Sequence, residues 1–166
     1  MVERSGGGEL KKIVVILLMA AALSAATNGM AGYISKFNVD DTTKRLVEKL
    51  RQKGVTIFKI IDHSEGAASV GMELRPTRLV IFGNPKIGTP LMQCSQTLGL
   101  DLPLKILVYE DEKGVVHALF NTKAYLMWRH DIEPDCARKM QKKVDSAVKM
   151  FAKYATGNMK KEETER

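Results

Sequence analysis

The sequence predicts an α+β fold, a single two-layer domain in which a mixed or antiparallel sheet of about five strands is packed by helices and followed by a C-terminal helix. Three observations predict it. Short β-branched runs alternate with stretches of helical period, two late runs flank a charged, glycine-containing link suited to a hairpin, and 166 residues leave room for a leader and one domain but not two. Hydrophobic residues at 45% and charged residues at 27% are ordinary for a globular chain, which excludes a disordered or polytopic membrane protein.

Taken in order, Tyr33 to Phe37 reads as the first strand. Asn38 or Asp40 then caps a helix whose Thr43, Leu46, Val47 and Leu50 recur at helical spacing until Gly54 stops it. Val55 to Ile61, rich in β-branched residues, is a strand, and Asp62 with Glu65 resembles a capping box for a short helix ending near Gly71. Arg78 to Phe82 is a third strand. Thr89-Pro90 supplies an N-cap and a proline at the first helical position, predicting a helix through about Thr97. Leu104 to Tyr109 and Val115 to Phe120 flank the turn Glu110-Asp111-Glu112-Lys113-Gly114, and Ala124 to Arg129 is a short helix. Pro134 opens the last helix, with Cys136, Met140, Val144, Ala147, Val148, Phe151 and Tyr154 along one face and mostly lysine and arginine on the other.

Residues 1–31 read as an export leader. Arg4, Lys11 and Lys12 precede the apolar run Ile13 to Ala26, and small or polar residues follow. Fourteen residues at 1.5 Å rise span about 21 Å, short of a hydrocarbon core of about 30 Å, so no stable transmembrane span is expected in the mature protein. Gly29-Met30-Ala31 suits cleavage after Ala31, and Ser24-Ala25-Ala26 offers an earlier position. The division that follows is a leader over 1–31, a domain over 32–132, a helix over 133–155 and a frayed tail over 156–166, in a periplasmic or secreted protein.

Export sets the chemistry open to the two cysteines. In an oxidising compartment Cys94 and Cys136 either bridge, if their Cα atoms come within about 7 Å, or remain as two buried thiols. Neither sits in a Cys-x-x-Cys pair, so thioredoxin-like exchange is not expected. The net charge of +7 is spread along the chain and has no basic stripe with interleaved aromatics, which argues against a nucleic-acid partner and for attraction to anionic surfaces or ligands.

The run Phe82-Gly83-Asn84-Pro85-Lys86-Ile87-Gly88-Thr89-Pro90-Leu91-Met92, with Ile61-Asp62-His63, Glu73-Leu74-Arg75-Pro76-Thr77, the strand from Leu102 to Asp111, and Tyr125-Leu126 with Arg129-His130, resembles the domain-of-unknown-function 302 family. These are small bacterial α+β domains without an established activity. The resemblance covers roughly Val39 to Asp131 and implies a compact domain with a tendency to pair as a homodimer. It supplies no catalytic residues.

The same run carries the best candidate site. A glycine-rich turn entering a helix presents backbone N–H groups to an anion, so Gly83, Asn84, Lys86, Gly88 and Thr89 are the candidate binding residues for a small anionic ligand. It is no Walker loop, and the alternative is a tight turn capped by Thr89. His63, His117 and His130 invite a metal or haem reading, but no spacing sets two of them on one helix face. Glu110, Asp111 and Glu112 suit either a hard cation or a hairpin tip. Enzyme motifs are not found: Ser64 beside His63 is not a triad, and a nucleophilic Cys94 would need an activating base that no motif supplies. The sequence thus favours ligand binding, with an enzyme using Cys94 or a histidine, or a homodimeric scaffold, as the alternatives.

Overall fold

The computed structural model describes residues 29–159 and, from 137 to 144, the backbone of one helix. The leader up to residue 28 and the tail from residue 160 lie outside the described residues, whereas 156–159 of the tail expected to fray are held: Thr156 is buried and Asn158 Nδ2 donates to the Ile34 carbonyl at 2.7 Å. Strands β1 (Met30–Ile34), β2 (Thr56–Asp62), β3 (Thr77–Gly83), β4 (Leu104–Glu110) and β5 (Val116–Asn121) form one sheet in the order β1-β5-β4-β3-β2. Every neighbouring pair is antiparallel. The helices are α1 (Val39–Gln52), α2 (His63–Ala68), α3 (Pro85–Cys94), α4 (Lys123–Arg129) and α5 (Pro134–Ala155), with a 3-10 turn at Gln96–Leu100.

Alternation along the strands builds the core. Val80, Phe82, Ile106, Val108, Val116, Ala118 and Phe120 point to one face, where Val39, Leu46, Val47 and Leu50 of α1 and Val148, Phe151, Ala152 and Ala155 of α5 bury them. Phe82 meets Phe151 edge to face at 5.9 Å. The in-between residues Ile61, Leu79, Leu107 and Leu119 lie in register across β2, β3, β4 and β5 and form a half-buried apolar row on the other face.

The first strand lies earlier than Tyr33 to Phe37. The chain leaves the sheet after Ile34 because the next residues build the cap of α1: Ser35 Oγ meets Thr42 Oγ1 at 2.7 Å and accepts from Phe37 N at 3.1 Å. Asn38, not Asp40, is the N-cap, its Oδ1 accepting from Asp41 N at 2.7 Å. Phe37 instead lies under the Arg45 guanidinium, which donates to the Tyr154 and Ala155 carbonyls at the end of α5 and ties the two helices together. Gly29 belongs to the fold as well. It adopts φ +82°, its carbonyl accepts from Thr122 N at 2.8 Å, and a Cβ there would strike the Tyr125 ring at 2.4 Å.

Gly54 ends α1 in the left-handed region, as its position predicts. Asp62 caps α2 by accepting from Glu65 N at 3.0 Å, and that helix ends at Ala68, short of Gly71. Asp111 spends its carboxylate on the hairpin: Oδ1 accepts from Lys113 N and Val115 N, both at 2.9 Å, and Oδ2 meets His117 Nε2 at 2.8 Å. This is turn chemistry, not a cation cage.

Candidate functional site

The helix carrying the candidate residues starts a full turn earlier than the sequence predicts. Asn84-Pro85 and Thr89-Pro90 are two copies of one start signal, an N-cap followed by proline, and the chain uses the first. Asn84 Oδ1 accepts from Lys86 N at 2.9 Å, and Pro85 takes the position where a missing N–H costs nothing. Thr89 therefore sits inside α3, and Pro90 leaves the Lys86 carbonyl without its usual helical donor. Neither Gly83 nor Gly88 has a positive φ, so neither is a turn-former. The backbone cradle is also spoken for: Lys86 N bonds Asn84 Oδ1, and Ile87 N and Gly88 N both bond the Asn84 carbonyl at 2.9 Å.

What the segment builds is one wall of a cavity of about 380 Å³. Gly83, Asn84, Gly88 and Thr89 line it, and Lys86 stands exposed beside them. Leu91 and Met92 continue the wall, Leu102, Pro103 and Leu104 come from the chain entering β4, and Val148 and Phe151 from α5 form the floor with Phe82. The two glycines matter through the side chains they lack. A Cβ at Gly88 would find only Leu102 Cδ1, at 3.8 Å, and one at Gly83 would find Phe58 and Pro103 at ordinary contact distance. Local periodicity did not reveal this site because its walls come from residues far apart in sequence.

Cys94 and Cys136 are joined in a disulfide, with Cα atoms 5.9 Å apart. Cys94 is thus no free nucleophile, and the bond fastens the end of α3 to the first turn of α5, the two elements on either side of the cavity. No residue of α3 is fully buried, so this bond and the satellite cluster around Leu98 and Ile132, in which Leu91 and Met92 take part, hold the wall in place.

The histidines are scattered. His63 is exposed at the start of α2, His117 pairs with Asp111 and stacks on Tyr109 at 5.1 Å, and His130 is buried. His130 Nε2 lies 2.7 Å from Asp101 Oδ2 and Nδ1 lies 3.1 Å from Thr97 Oγ1, while its carbonyl accepts from Ser95 Oγ at 2.9 Å. This bridge, which pattern reading missed, links the Ser95–Asp101 segment to the end of α4. Among the described residues no three metal-ligating side chains converge.

Among the described residues two carboxyls are perturbed. Hydrogen bonds from Ser64 Oγ and then the Arg78 guanidinium hold Asp62 well below the usual carboxylate range. The hydrogen bond to His117, followed by that from Val115 N, lowers Asp111 to about 2.

Comparisons with known proteins agree with this architecture. A crystal structure of an uncharacterized conserved protein DUF302 from Bacillus stearothermophilus superposes with a TM-score of 0.64 at 16% identity, over 81% of this chain and 100% of that one. The fluoride-specific ion channel FluC 1 of Brucella suis biovar 1 (strain 1330) is 38% identical over 137 residues, covering 81% of this chain and 53% of its own length. FluC 1 of Brucella abortus biovar 1 (strain 9-941) is equally similar, with 50% of its length covered. The chain thus spans about half the length of the curated relatives it matches. The family model described as Domain of unknown function DUF302 matches residues 32–151, from the first strand to the core-facing end of α5, and the chain belongs to that family.

Proposed function

We propose that this domain is an exported ligand-binding module that takes a small molecule into the cavity walled by α3 and floored by Phe82, Val148 and Phe151. The cavity carries the reading: about 380 Å³ falls in the range of small-molecule sites, about 300–1,000 Å³, and its lining is apolar with few polar groups, as in such sites. The test is Gly88→Leu, which fills the space beside Leu102 and replaces a helical glycine. It is expected to abolish the fluorescence enhancement of anilinonaphthalene sulfonate while the melting temperature holds or rises, since glycine costs a helix about 1 kcal/mol. Equal enhancement in both proteins would refute the cavity as the site.

Two features support export: the basic-then-apolar opening of the sequence, and a disulfide of the kind that persists in oxidising compartments. Cleavage after Ala31 would remove Met30 and Ala31, which pair with Asn121 and Phe120 in the sheet, together with Gly29. Processing after Ala26 leaves β1 whole. Mass measurement on protein from the periplasm or medium is expected to find Thr27 first, and an intact Met1 on cytosolic protein would defeat the export reading. The homodimer implied by the family resemblance belongs to the same proposal, with the row Ile61, Leu79, Leu107 and Leu119 as its surface.

The fluoride-channel relatives favour a second reading, in which this module is the non-conducting part of such proteins. A channel must span the membrane, and among the described residues no helix is long and apolar enough to do so. Liposomes carrying this chain alone are expected to release no fluoride; rapid efflux would overturn the reading.

A further inference from the structure

We infer that the ligand is an aliphatic monocarboxylate, held in the cavity with its carboxylate beside Asn84 and Lys86. The inference rests on the cavity reading above and adds the chemistry of the occupant. Most of the lining, including the buried Phe82, Val148 and Phe151 and the partly buried Val55 and Leu104, has no polar side-chain atom. A hydroxyl or amide placed there would go unpaired, a penalty that sugars, nucleosides and amino acids all incur. The ligand must therefore be apolar over most of its length.

The lining side chains that carry a hydrogen-bonding group are Asn84, the N-cap of α3, and Thr89 in its first half, so the polar end of the ligand lies there. Its sign follows from what surrounds that end. No acidic side chain lines the cavity among the described residues, and Lys86, between the lining residues Pro85 and Ile87, makes no ion pair. Asn84 is oriented by its own cap. With Oδ1 engaged by Lys86 N, Nδ2 is the donor that this lining side chain has left to offer a ligand. One ammonium and one amide donor, with no arginine among the described lining residues, match a single negative charge better than a phosphate dianion. The engaged N–H groups of α3 play no part.

The test measures binding of decanoate, decanol and decylamine to the purified protein, its Lys86→Gln variant and its Gly88→Leu variant by calorimetry. Decanoate is expected to bind the wild type most tightly, with Lys86→Gln reducing its affinity about two- to fivefold, as for an exposed ion pair, and leaving decanol unchanged. Equal affinity for decanoate and decanol, or tightest binding of decylamine, would overturn the head-group assignment while the cavity reading stands. Binding of none of the three, or binding unchanged by Gly88→Leu, would overturn both.

Discussion

Single side chains in this protein act through hydrogen-bond partners that are distant in sequence. Buried His130 satisfies both ring nitrogens, and Asp101, itself largely buried, depends on that contact and on Arg129, 3.4 Å away. His130→Ala leaves a buried carboxylate short of a partner. It is expected to lower unfolding free energy by about 1–3 kcal/mol in urea, and an unchanged midpoint would show the bridge to be idle. The lowered carboxyls make a prediction about acid. A group whose folded pKa is depressed stabilises the fold above its unfolded value, about 3.9 for aspartate, and that stabilisation is lost as pH falls through the folded value. For Asp111, lowered to about 2, the window runs from about 4 down to about 2. The melting-temperature difference between wild type and Asp111→Asn is thus expected to shrink as pH falls below about 4.

At the scale of elements, α3 is the weakly held piece. It contains Gly88 and Pro90, buries no residue fully, and is secured at its end by Cys94–Cys136. The bond closes a loop of sequence separation 42, which in the chain-entropy model restrains the unfolded state by about 4 kcal/mol. The double variant Cys94→Ser, Cys136→Ser is expected to unfold at lower urea, to exchange the amides of α3 faster than those of α1, and to bind anilinonaphthalene sulfonate more weakly. Helix α1, by contrast, is fixed at both ends, by Asn38 and Gly54, and along its buried face.

For the whole molecule, one sheet face is fully committed to α1 and α5, and the other carries the apolar row through Leu79 and Leu107. Leu107→Glu places a charge in the middle of that row. Sedimentation is expected to give a dimer for the wild type and a monomer for the variant, and identical profiles would remove this face as the pairing surface.

The sequence by itself determined the α+β class, five strands near their observed positions, the cap at Asp62, the stop at Gly54, the hairpin turn and the inward Val148 and Phe151 of α5, while the cap of α1 stood open between Asn38 and Asp40. Those features follow from periodicity and local hydrogen bonding, which a few neighbouring residues specify. Tertiary structure alone decided the rest. Two equivalent Asx/Thr-Pro signals stood five residues apart, and only the junction with β3 selects Asn84. The tract Gly83 to Thr89 was legible as the entry to a helix, but its place in a cavity wall was not, because the facing Leu102, Val148 and Phe151 are brought against it by the fold. The Cys94–Cys136 bond and the Asp101–His130 bridge were open for the same reason: whether distant side chains meet depends on how helices pack on the sheet, and no local pattern encodes that distance.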